Sequence, residues 1–189
     1  MTTDSERRLE NLLGSLLTAL SDCLTYEADS VVGHTGATAA ALTYLVQEPG
    51  QGIEQMRRPL GLTQSATVRL VDRLAADGLV ERRSGRNGRA IAVHLTANGE
   101  LAARRILDRR HDVLRSSLVP LDPTERGAMT TMVEKILTSI TTGPEHGERI
   151  CRMCDLAACP TSTCPVNLAA EQRSDQADCQ RSAAGPPSR

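Results

Sequence analysis

Leu9, Leu12, Leu13, Leu16, Leu17 and Leu20 recur three and four positions apart, the spacing of one face of an α-helix. "TDSE" at 3–6 precedes them, a pattern in which Thr3 caps the helix and Glu6 reaches back to it. A long amphipathic helix is expected to about Leu24, broken by the region "SVVGHTG". A second helix is expected over 37–47, ended by the loop residues "EPGQG". A short one follows over 53–58, terminated by Pro59 and Gly61. Thr63 reads as the N-cap of a helix over 64–76, closed by Asp77 and Gly78.

The period then changes from helical to alternating. "LVERRS" and "RAIAVHL" read as strands, the second with Ile91, Val93 and Leu95 pointing inward, and "GRNG" offers a hairpin turn at Asn87-Gly88. Thr96 caps a long helix to about Leu118. "LDPTE" at 121–125 opens the next, with Asp122 as cap, Pro123 at the first helical position and Glu125 three residues after the cap; it runs to about Thr141. "TTGPEHG" reads as a linker, and the chain from Glu171 onward has little to bury and is expected to be disordered. Three helices followed by a hairpin predict a winged helix-turn-helix, mainly α with a small β-hairpin wing.

Composition and charge add a partner to this outline. Phe and Trp are absent and only Tyr26 and Tyr44 carry rings, so the core must be aliphatic, which suits helix-on-helix packing. The net charge of -1 hides an asymmetry: between Arg57 and Arg115 thirteen arginines face six acids, a surplus of +7. Such a block is an electrostatic footprint for a polyanion. Only Lys135 is lysine, and arginine favours flat, two-pronged contacts to phosphate and base edges; a GC-rich genome would also enrich it. The N-terminus lacks the unbroken apolar core of a signal peptide, and no stretch approaches the roughly 20 apolar residues of a membrane span. A cytoplasmic location is expected, and with it reduced thiols.

On a helical wheel of 64–76, Ala66, Thr67, Leu70, Val71 and Leu74 face the core. Gln64, Ser65, Val68, Arg69 and Asp72 fall opposite, with Arg73 at the edge. In the major groove Gln64 matches adenine, Arg69 matches guanine and Val68 matches a thymine methyl, while Thr63 and Ser65 at the helix start suit phosphate. Arg82, Arg83, Arg86 and Arg89 sit on or around the hairpin tip, where a narrow minor groove attracts inserted arginine.

The stretch "GLTQSATVRLVDRLAADGLVERRSGRNGRAIAVHLTANG", 61–99, resembles the MarR family of bacterial transcriptional regulators. It carries a recognition helix ending "RLVDRLAADGLVERR", a glycine-bearing wing, and "LTANG" opening the next long helix. The resemblance spans about residues 5 to 142. It implies that the wing contacts DNA and that the first and last helices build a two-fold dimer. The domains expected are then a dimerisation helix at 1–33, the winged helix-turn-helix at 34–95, dimerisation helices at 96–142, a cysteine-rich segment at 143–170 and a disordered tail at 171–189. At the wing tip the family commonly has Asp-Arg-Arg and this chain has Asn87-Gly88-Arg89, so Arg86 stands in for the missing arginine. The Leu stripe at 9–20, Leu101, Ile106, Val113 and Leu114, with Met132, Val133, Ile136 and Ile140, exceed what one small winged domain covers. A homodimer would set two recognition helices roughly 34–36 Å apart on a palindromic operator of double-stranded DNA. The ligand cleft usual in the family would have little aromatic surface here, and the effector, if any, is open.

Outside the resemblance lies "CRMCDLAACPTSTCP", four cysteines spaced C-x2-C-x4-C-x4-C. Cys151, Cys154, Cys159 and Cys164 suit a tetrahedral zinc site, an iron–sulfur cluster, or a thiol switch in which neighbours pair on oxidation. Arg149 and Arg152 would favour the thiolate in each case. Cys179 is a spare thiol of the tail. Cys23 is expected to be a buried apolar residue, His94 plain surface, and His146 within reach of the cysteines. No flavin, nicotinamide or nucleophile motif accompanies the cysteines, so an enzyme is not expected. Two other classes use part of the sequence: a redox or iron–sulfur electron-transfer protein would use the cysteines directly, and a metal-stabilised interaction module would leave the +7 block without a role.

Overall fold

The computed structural model describes residues 3–33, 36–84 and 91–183, with the side chains of 176–183 excepted. Caps set most helix starts. The Thr3 hydroxyl accepts from the Glu6 amide while the Glu6 carboxylate accepts from the Thr3 amide, opening α1, Asp4–Val32. This helix passes Leu24 by two turns because Ala28 is buried and Val31 and Val32 pack on the core. Gly33, at φ 68°, ends it with its amide on the Asp29 carbonyl.

Helix α2 spans Thr38–Gln47 and α3 spans Ile53–Leu60. Pro59 lies inside the last turn of α3 instead of stopping it, and is buried there; the helix ends at Gly61, φ 64°, whose amide donates to the Arg58 carbonyl. Thr63 then caps α4, Gln64–Ala76. Strand β1, Val80–Ser84, pairs antiparallel with β2, Ile91–Leu95, matching Val80 to Leu95, Arg82 to Val93 and Ser84 to Ile91. The expected Asn87-Gly88 turn lies outside the described residues. Val93 also donates to the Gln51 carbonyl at 2.9 Å, which fastens the hairpin to the segment between α2 and α3. Of the three residues expected to point inward on β2, Val93 is buried and Leu95 partly so, but Ile91 is exposed. Ile91 pairs with Ser84 at the outer end of the hairpin, beyond the reach of the helices.

The core is aliphatic. Leu42 and Leu45 of α2, Met56 of α3, Val71 and Leu74 of α4, Val93 of β2 and Ile106 of α5, Ala97–Leu118, are all fully enclosed. Ile106 therefore belongs to this core and not to the surplus apolar surface in which its spacing placed it. Thr96 caps α5 by accepting from the Gly99 amide, and its hydroxyl donates to the Gly78 carbonyl at 2.6 Å, tying the end of the α4 unit to the start of α5. Helix α6, Pro123–Ile140, opens on the reciprocal box of Asp122 and Glu125 and has no buried residue.

Beyond α6 the chain is more regular than its composition suggests. Pro144 occupies the first turn of α7, Pro144–Cys151, where a linker was expected. Gly147, a breaker by type, is buried because it lets α7 press on α8, Pro165–Ala183: a Cβ there would lie 3.3 Å from that of Ala170. The expected disordered tail is helical through 171–183, since buried Val166, Ala169 and Ala170 anchor the helix and Arg173 donates to the Ala169 and Ser139 carbonyls. Residues 184–189 lie outside the described residues. Among the described residues no helix is long and apolar enough to cross a membrane.

Two substitutions check this packing. A Cβ at Gly99 would stand 1.9 Å from the Leu79 carbonyl oxygen, so Gly99→Ala must displace the strand entry and is expected to destabilise by about 1–3 kcal/mol. Leu42→Ala empties a fully buried site and is expected to cost about 2–5 kcal/mol. Urea denaturation should show both as lower midpoints at unchanged slope.

Candidate nucleic-acid interface and thiol cluster

Helix α4 is held by one flank. Thr67, Leu70, Val71 and Leu74 are buried, and the Thr67 hydroxyl donates to the Thr63 carbonyl at 2.9 Å. That fixes the rotation of the helix about its axis, so the other flank is determined. Gln64, Ser65, Val68, Arg69, Asp72 and Arg73 are exposed on it, as the wheel predicts. Val68 is 37% exposed, an apolar contact point in a polar row. At the helix start the Thr63 and Ser65 hydroxyls lie 3.2 Å apart, and Thr63 accepts from the Ala66 amide. The N-terminal end of α4 thus presents hydroxyls and helix N–H groups together, a setting favourable to an anion.

Arg69 and Arg73 have no carboxylate partner among the described residues. The wing arginines differ from them. Arg82 donates to Asp72 at 2.5 Å, and Arg83 is paired with Glu81 on its own strand. Asp72 is therefore a brace between α4 and the hairpin, a role its place on the exposed flank did not reveal. The available signal was the single acid among the polar residues of that flank, with arginines entering the next strand. Arg86 and Arg89 lie outside the described residues. A further arginine comes from far along the chain: the Arg149 guanidinium of α7 covers Gly61, 3.1 Å from where a Cβ would be, beside the turn that leads into α4. Nothing in the spacing of Arg149 pointed there.

Cys151 ends α7, Cys154 and Cys159 lie in the loop that follows, and Cys164 is buried just ahead of α8. All four thiols are free and line one cavity of about 450 Å³. They lie near enough to act on one another's protons, Cys151 with Cys154 and Cys164, and Cys159 with Cys164. The neighbouring Cys151 thiol holds Cys154 down at about 6, helped by the Arg110 guanidinium, whereas Cys154 and burial push Cys151 up. Burial, then the nearby Cys164, raises Cys159. Among the described residues no group of three or more His, Cys, Asp or Glu side chains is arranged, as it stands, to hold a metal ion. The loop is tied to the winged domain through its backbone: Thr43 of α2 donates to the Arg152 carbonyl at 3.3 Å, and Gln47 donates to that of Cys154.

The remaining cysteine and histidine expectations divide. Cys23 is exposed on α1, not buried, because it lies off the side that α5 and α2 cover. Cys179 is outside the described side chains. His94 is partly buried, with its ring over Gly50, where a Cβ would stand 2.9 Å from Cε1. His146 is engaged locally, its Nδ1 accepting from the Thr142 amide at 3.2 Å.

This arrangement is similar to known ones. The fold matches that of a MarR family protein from Bacillus stearothermophilus, with a TM-score of 0.65 and 23% identity over 75% of this chain and 99% of that one. It matches MepR, a transcription regulator of the Staphylococcus aureus multidrug efflux pump MepA, with a TM-score of 0.61 and 18% identity over 74% and 99%. A MarR family transcriptional regulator from Silicibacter pomeroyi is 26% identical over 68% of this chain and 87% of its own, with a TM-score of 0.52. No curated protein matches the sequence. Residues 32–90 match the model of the MarR family, and the fold around that segment is the one these MarR family structures have.

Proposed function

We propose that this chain is a homodimeric, sequence-specific regulator that binds double-stranded DNA at a palindromic operator in the cytoplasm and represses by occupying it. The carrying observation is the exposed flank of α4, where Gln64, Val68, Arg69 and Arg73 stand together while the opposite flank is buried. In this reading α4 enters the major groove, Gln64, Val68 and Arg69 read base edges, and Thr63 and Ser65 meet phosphate. Arg82 and Arg83 lie alongside, and phosphate competes with Asp72 and Glu81 for them on binding. Support for the dimer is the apolar surface left uncovered: Leu9, Leu12, Leu13, Leu16 and Leu17 on α1, and Met132, Val133, Ile136 and Ile140 on α6, are each at least 40% exposed. Two copies bury such faces against each other through a two-fold axis.

Duplexes selected from a random pool by the purified protein supply the probe. Arg69→Glu is expected to weaken binding to the selected duplex by at least about tenfold in fluorescence anisotropy, and the parent should lose affinity steeply with salt. Unchanged binding by Arg69→Glu on every duplex would refute the docking of α4. Leu13→Glu combined with Leu16→Glu is expected to shift sedimentation from dimer to monomer; a parent that sediments as a monomer removes the dimer from the reading.

A further inference from the structure

The loop between α7 and α8 turns little inward except sulfur. Arg152, Asp155, Ala157, Ala158 and all of 160–163 are exposed. Cys164 is buried, Cys151, Cys154 and Cys159 are partly buried, and Met153 and Leu156 are their only partly buried apolar companions in the loop. A segment of this length with so small an apolar content does not hold one path by hydrophobic packing, and short segments of this kind are held by cross-links or metal ions. Here no cross-link exists: the four cysteines are free. They nevertheless line a single cavity, and each is near enough to another to influence its proton.

We propose that Cys151, Cys154, Cys159 and Cys164 are the ligands of one all-thiolate metal centre, a zinc ion or an iron–sulfur cluster, that holds the loop between α7 and α8. Both groups take four cysteine sulfurs. The thiols now stand as overlapping pairs rather than as a closed set. Each sulfur turns on a single bond, χ1, so a new rotamer moves it without moving the backbone. The path is already held from α2 by the bonds to the Arg152 and Cys154 carbonyls. On loading, the thiol protons leave to solvent and the metal charge compensates the thiolates, with the Arg110 guanidinium beside Cys154 opposing the remaining negative charge. The centre would give the regulator proposed above a metal-dependent state, but its test does not rely on DNA binding.

The full chain, produced with zinc and iron both supplied and purified without oxygen, is assayed for zinc, iron, acid-labile sulfide and visible absorbance. About one zinc per chain without colour supports the centre and assigns the ion; about four irons with matching sulfide and a visible absorbance support it and assign the cluster. Cys154→Ser and Cys159→Ser should each lose most of the metal, and Cys23→Ser should keep it. Circular dichroism shows whether the variants remain helical. Should they unfold, cobalt(II) titration of the chelator-treated parent decides: thiolate charge-transfer absorbance saturating near one equivalent supports the proposal, and its absence overturns it. The proposal also falls if the anaerobic parent carries no metal and four freely titrating thiols, if it carries a disulfide among these cysteines, or if folded Cys154→Ser and Cys159→Ser both retain the parent's metal.

Discussion

The burial of Thr67, Leu70, Val71 and Leu74 against the aliphatic core is the constraint from which the rest follows. A helix seated by four enclosed side chains has no freedom to roll, because protein interiors are close-packed and any rotation would open voids. The direction in which Arg69 and Arg73 point is thus a consequence of where Leu70 and Leu74 are buried. The hairpin is located by the same logic: Asp72 on α4 grips Arg82, Val93 is enclosed in the core, and Gln51 holds Val93 by its amide. The exposed flank of α4 and the described strands of the hairpin are both positioned by the core.

A second constraint acts on the long helices. Helix α6 has no buried residue, and α1 leaves a leucine row in the open. Covering apolar area of this kind is worth about 25 cal/mol per Å². In the proposed dimer the partner copy covers these faces.

Much of this was legible because periodicity and caps are local. Thr3, Thr63, Thr96 and Asp122 all cap where their spacing said they would, and the two faces of α4 separate as the wheel divides them. The failures share a cause: they depend on contacts distant in sequence. Gly147 looks like a linker residue until α8 lies against it. The chain past Glu171 looks too polar to fold, yet three small apolar residues at the start of α8 suffice once α6 and α7 supply the other side. Ile106 has the same local pattern as its unburied neighbours, and only the packing of α5 on the core sets it apart. In the same way the sulfurs could be grouped from their spacing, whereas Arg149 over Gly61 joins residues 88 positions apart.

The attachment of the cysteine loop tolerates changes of side chain. Thr43 and Gln47 grip main-chain carbonyls, atoms every residue possesses, so they sense the course of the backbone and are blind to the side chains along it. The joint therefore depends on the two donors in α2 and not on the side chains exposed at 157, 158 and 160–163. Substitutions at those positions leave both bonds of the mooring in place.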